Sequence, residues 1–245
     1  LLSCKLNKFM GILFNYNKQG ERMTQFTWSY SSLKQYQNCP KQYYEIRVAK
    51  NYTVKENQAM LYGKEVHTAL EEYVRDGKPL AKNYLRFKPV VDSLINIDGE
   101  KFCEYEMALN YNREPCDFHD KNRWVRGIAD LVIIDGEQAY IVDYKTGSNK
   151  YPDPKQLKLM AIMLFTQMPD IIKIKAGLLF ILKNSFLDEE YHRSDMDKLW
   201  KSFEAPLSRL ETSYDYDQWQ PNPTPLCGWC SVDSCEFNRP KTSPF

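Results

Sequence analysis

Two apolar runs, Trp124 to Ile134 and Ala139 to Lys145, meet across Asp135-Gly136, and no other stretch constrains the chain as tightly. Asp-Gly between strand-forming residues is a strong tight-turn signal, so the pair predicts a β-hairpin. A two-residue loop pairs Ile134 with Glu137, and a four-residue loop pairs it with Ala139. Side chains alternate with period two, so either register puts Asp130 on the face that carries Asp143 and Lys145. A three-residue loop without a bulge would separate them. Two carboxylates and an ammonium on a mostly apolar hairpin are costly unless a ligand compensates them.

Hard carboxylate oxygens suit Mg²⁺ or Mn²⁺, and such an ion polarises a phosphate and acidifies a bound water. A neighbouring lysine can hold that water or stabilise charge on a pentavalent phosphate. The plain alternative is an ion pair between Asp143 and Lys145. Upstream, residues 57 to 75 have helical character, with Leu61, Val66, Ala69, Leu70 and Tyr73 as the apolar stripe and Gly77 as the stop. His67 and Glu71, at i and i+4, share a face of this helix. Gln156 opens a second helix, Gln156 to Gln167, bounded by Pro154 and Pro169. Phe102 to Tyr111 reads as a strand with Glu104 and Glu106 on its polar face, Glu106 being a lesser site candidate, and with Cys103, Tyr105, Met107 and Leu109 on its apolar face.

In order and spacing this set resembles the RecB-like branch of the PD-(D/E)xK nuclease superfamily. Gly63, His67 and Glu71 match its helix motif G-x3-H-x3-E, Gly127 and Asp130 its G-x-x-D, and Asp143 and Lys145 its (D/E)-x-K. Gln156 matches the start of Q-x3-Y, whose tyrosine is Met160 here. The resemblance implies an α/β restriction-endonuclease-like core, a mixed sheet flanked by helices. It further implies a metal-dependent DNA exonuclease. His67, Asp130, Asp143 and the Tyr144 carbonyl would hold Mg²⁺ or Mn²⁺. Lys145 would position or deprotonate the attacking water, and Gln156 would orient Lys145 or the substrate. Single-stranded DNA is the implied partner, in recombination, repair or CRISPR-type processing within a bacterial or phage-infected cytoplasm.

The cysteines form a second constellation. There are seven, an odd number, and their scattered spacing argues against a secreted disulfide scaffold. Cys227, Cys230 and Cys235 form C-x2-C-x4-C, with Cys39 as the candidate fourth ligand; Cys103 and Cys116 read as core or incidental thiols. One cysteine before the core and three behind it resembles the CRISPR-associated RecB-like iron–sulfur exonucleases. That likeness implies a [4Fe–4S] cluster joining the N- and C-terminal parts. Four sulfurs also suit Zn²⁺.

At 245 residues the chain reads as a single nuclease domain over 25–245. Its core spans about 57–195, its cluster-bearing ends are 29–48 and 196–245, and residues 1 to 24 form a weakly packed extension. Gly20-Glu21-Arg22 before Met23 fits a translated ribosome-binding site, with Met23 as the start. A net charge of +1 gives no global basic footprint for DNA, so affinity must come from a local groove and from metal. Tyr30, Tyr36, Tyr43, Tyr44 and Tyr52, interleaved with Lys34, Lys41, Arg47, Lys50 and Lys55, either stack bases or cover the core as an amphipathic helix. No stretch is long and apolar enough to span a bilayer. A helix is expected over 29–48, interrupted at Cys39-Pro40, and a helical stretch around 80–94. Beyond these come a strand over 172–182 and a helix over 196–210, kinked at Pro206. A non-catalytic DNA-binding or scaffolding subunit with the same fold is the alternative from another functional class, and the intact Asp130, Asp143 and Lys145 set speaks against it.

Overall fold

The computed structural model describes residues 26–54, 56–150 and 152–239; the extension expected over 1–24, with Met23, lies outside them. In chain order the elements are α1 (Tyr30–Asn38), α2 (Pro40–Tyr43), α3 (Gln58–Asp76), α4 (Lys88–Ile95), β1 (Glu100–Asn110), β2 (Arg123–Asp135), β3 (Gln138–Lys145), α5 (Lys155–Gln167), β4 (Lys173–Phe180), β5 (Ser185–His192) and α6 (Met196–Tyr216). The described residues form two compact units, one of 26–54 and 204–239, the other within 56–203.

In the first unit the helix expected over 29–48 breaks where the sequence suggests. Pro disfavours helical backbone at the residue before it. Cys39 is accordingly extended (φ −162°), ending α1 and capping α2, with its sulfur accepting from the Gln42 N–H. Ser29 and Ser32 form a reciprocal capping box at the start of α1. The α6 helix runs through Pro206 to Tyr216, longer than expected. Tyr36 and Tyr43 are 5% and 2% exposed. The Tyr36 hydroxyl lies 2.7 Å from both the Arg209 carbonyl and Ser213 Oγ, and Tyr43 stacks on Trp219 with ring centroids 5.9 Å apart. These two tyrosines are committed to packing, which removes them from the base-stacking set.

The second unit is a five-stranded sheet in the order β1-β2-β3-β4-β5. Neighbours are antiparallel except β3 and β4, which are parallel and joined through α5. A parallel pair needs such a crossover, whereas the antiparallel pairs need only turns. The hairpin pairs Ile134 with Ala139, as in the longer of the two expected registers. Asp135 also pairs with Gln138, so the turn residues are Gly136-Glu137, one place later than Asp135-Gly136, and Gly136 takes φ +58°. One face packs on α3, whose Val66 and Leu70 are fully buried with Leu131, Ile133, Val142 and Tyr144. On alternate residues of β3, Asp143 and Lys145 meet Gln156 of α5. In α5 every residue from Leu159 to Phe165 is buried, so this helix is enclosed rather than amphipathic. The edge strand β5 is absent from the sequence reading.

β1 departs from simple alternation at Glu104, which lies in the left-handed region (φ +49°). The ladder pairs Cys103 with Leu131 and Tyr105 with Ala129 but skips Glu104 and Asp130. Cys103 packs on the α3 side. Gly127, the partner of Met107, instead faces Met163 of α5, where an added Cβ would come within 2.6 Å of Met163 Cε. The apolar face expected to carry both Cys103 and Met107 is therefore broken between them, because one left-handed residue reverses which way the following side chains point.

Candidate active site

The break in β1 and β2 opens toward α3. Asn57 caps that helix and Gly77 ends it in the left-handed conformation, which holds His67 in the third turn. His67 Nδ1 lies 3.1 Å from Asp130 Oδ1. With a carboxylate as acceptor the shared hydrogen sits on Nδ1. The other oxygen of Asp130 accepts from the Tyr144 N–H at 2.5 Å. Asp130 thus ties α3 to β3, and its side chain is only 12% exposed.

A second set of contacts runs to α5. Gln156 Nε2 donates to Asp143 Oδ1 at 2.6 Å, and Lys145 Nζ donates to Gln156 Oε1 at 2.9 Å. Lys145 Nζ also lies 2.5 Å from Asp143 Oδ2 as an ion pair. A sequence-expected glutamine thus becomes the clasp that holds the carboxylate and the ammonium together.

Glu104 is the residue the sequence reading underrated. A ligand atom from each of His67, Glu104 and Asp130 lies within 4.8 Å of the other two, and no other such group of three occurs among the described residues. Glu104, His67 and Glu71 line one trough of about 940 Å³, with Lys64, Thr146 and Gly147 on its walls. Glu106, the preferred acid on that strand, is exposed and opposite Ile128, away from the trough. Glu71 is held by Arg75 one turn on. Met160, in place of the motif tyrosine, is buried and does not line the trough. Gly63 lets α3 approach this loop, since a Cβ there would sit 3.0 Å from Thr146 Oγ1.

The electrostatics follow from crowding acids in a half-dry place. Burial, then the Asp130 and Glu71 carboxylates, push Glu104 up to about 7. Burial raises Asp143 to about 6, Lys145 opposing and Asp130 reinforcing the shift. Burial alone would lower His67, but its hydrogen bond to Asp130 and the charges of Asp130, Asp143 and Glu104 outweigh that and raise it. Burial leads the two carboxylate shifts, and neighbouring negative charge adds to both and carries the rise of His67. A divalent cation on these carboxylate and imidazole donors would offset that charge, so the donor set fits Mg²⁺ or Mn²⁺.

The four cysteines lie in the first unit and line one cavity of about 620 Å³. Cys39 Sγ accepts from the Asn222 N–H at 3.5 Å and Cys230 Sγ from Gln42 Nε2 at 3.3 Å. Cys227 Sγ accepts from the Thr224 N–H at 3.3 Å. Cys103 and Cys116 lie elsewhere, in the second unit.

A family model described as the PD-(D/E)XK nuclease superfamily matches residues 27–96 and 99–235. No curated protein matches the chain. Among solved structures, a candidate exonuclease from Eubacterium rectale has 11% identity and a TM-score of 0.49, covering 87% of this chain and 87% of its own. SSO0001 has 14% identity and a TM-score of 0.40, covering 90% of this chain and 91% of its own. No helix among the described residues is long and apolar enough to cross a membrane. With the match spanning nearly the whole described chain and a mixed five-stranded sheet flanked by helices beneath it, the chain belongs to the PD-(D/E)XK nuclease superfamily.

Proposed function

We propose that this protein is a metal-dependent DNA exonuclease of the RecB-like branch, acting on single strands in recombination, repair or CRISPR-type processing. The observation that carries the reading is the pair of clasps around the hairpin: His67–Asp130–Tyr144 on one side and Asp143–Gln156–Lys145 on the other. His67, Asp130, Asp143 and the Tyr144 carbonyl would hold Mg²⁺ or Mn²⁺, which when bound would supply polarisation of the scissile phosphate and a more acidic water. Lys145, as an ammonium, positions that water or offsets charge on the phosphate. Gln156, bonded to both, holds Lys145 beside Asp143.

In the same reading Cys39, Cys227, Cys230 and Cys235 hold a [4Fe–4S] cluster. All four line one cavity, and their order along the chain, one before the core and three behind it, supports the cluster over Zn²⁺ through the likeness to iron–sulfur exonucleases. N–H donors on the cysteine sulfurs also suit such a cluster, whose potential they tune.

The test uses end-labelled linear and circular single strands of one sequence with Mn²⁺. An exonuclease degrades the linear strand and spares the circle. Cutting of the circle would make it an endonuclease, and loss of neither strand would leave the non-catalytic subunit.

A further inference from the structure

We propose that Glu104 is a further ligand of the metal site, closing it on the α3 side with His67 and Asp130. The inference rests on the metal-dependent reading above and adds a residue that the ordered motifs leave out. Three observations converge on it. The ligand atoms of His67, Glu104 and Asp130 come within 4.8 Å of one another, a meeting that Asp143 does not join. Both Asp143 oxygens are already faced by Gln156 and Lys145, whereas no hydrogen bond or ion pair holds Glu104 among the described residues. The backbone at Glu104 is left-handed, a conformation that a glutamate adopts only where its surroundings impose it. That one residue is also where the strand pair loses its alternation, which lets β1 and β2 turn two acids toward one imidazole.

Glu104 therefore has the profile of a ligand held ready: a strained backbone, a half-dry carboxylate without a partner, and two other donors at metal-binding spacing. Carboxylates so crowded repel one another until a cation sits between them. Removing one should relieve the metal-free protein while weakening its hold on the ion. A glutamate that merely packs would do the reverse, leaving metal affinity alone and destabilising the fold when lost.

Both effects can be read without any substrate. Mn²⁺ is titrated calorimetrically into chelator-treated full-length protein, and the melting temperature is recorded with and without the ion. Glu104→Gln should bind Mn²⁺ at least tenfold more weakly than wild type, melt no lower than wild type in chelator, and gain less from added Mn²⁺. Glu104→Asn is the second variant, because Asn tolerates the left-handed backbone and so removes the charge without adding strain. Glu106→Gln, on the same strand but outside the trough, should match wild type. Mn²⁺ affinity within threefold of wild type in Glu104→Gln and Glu104→Asn overturns the assignment, as does a lower melting temperature in chelator for both. Wild type that binds Mn²⁺ through Glu104 yet cleaves nothing would sink the nuclease reading and leave this one standing.

Discussion

Chelator-treated protein should lose stability as pH rises from 5 to 8. A group whose folded pKa lies above its unfolded value contributes stability that is fully present below the unfolded pKa and lost as pH climbs through the folded one. Glu104, up from 4.5 to about 7, Asp143, up from 3.8 to about 6, and His67, raised from 6.5, all have this sign. The lowered groups Asp76, Asp92 and Glu190 have the opposite sign, but their loss comes only below their ordinary values, under the window. At about 1.4 kcal/mol per unit the Glu104 shift alone would be near 3 kcal/mol. Partial exposure halves it, to roughly 1–2 kcal/mol. For a chain of this size that corresponds to a melting temperature about 3–6 °C lower at pH 8 than at pH 5. Differential scanning calorimetry in EDTA measures it, and saturating Mn²⁺ at pH 8 should restore the loss, because the cation replaces the missing protons. Stability that is flat or rising from pH 5 to 8 without metal would refute the claim that these acids are crowded.

Three other outcomes follow from the same geometry. Asp143→Ala should lower the cleavage rate about a thousandfold or more, equivalent to roughly 4 kcal/mol of lost transition-state stabilisation; a rate within a few-fold of wild type under Mn²⁺ would count against the metal site. Because imidazole is softer than carboxylate, wild type should work better with Mn²⁺ than with Mg²⁺, and His67→Ala should shrink the ratio of the two rates. Cys39→Ser should bleach any brown colour of anaerobically purified protein and lower its melting temperature, since the cluster would close a very long loop; colourless wild type with stoichiometric zinc would keep the ligands and change the metal.

The hairpin was legible because its signal is local: an Asp-Gly turn between two apolar runs, and the structure pairs Ile134 with Ala139, one of the two expected partners. The helix carrying His67 was equally plain, with a capping Asn57 and a terminating Gly77. Glu104 was not, because strand periodicity places it beside Glu106 and nothing local announces the left-handed residue that separates them. The only available signal was its place two residues from Glu106 on the same strand. β5 escaped for another reason. Phe186, Asp188 and Glu190 are exposed on one face, and on the other only Tyr191 is buried, so the strand has no apolar stripe to read. Tyr36 and Tyr43 resemble a base-stacking surface in sequence; only the chain returning at Arg209, Ser213 and Trp219 reveals them as core.

The central claim is that Lys145, clasped by Gln156 against Asp143, sits at a working phosphodiesterase site. The direct measurement is the initial rate of nucleotide release from end-labelled single-stranded DNA in Mn²⁺, for wild type and for a folded Lys145→Ala variant. Wild type should release nucleotides steadily and the variant at least a hundredfold more slowly, with Mn²⁺ affinity kept. No release by wild type in either metal, or equal release by both proteins, would contradict the claim.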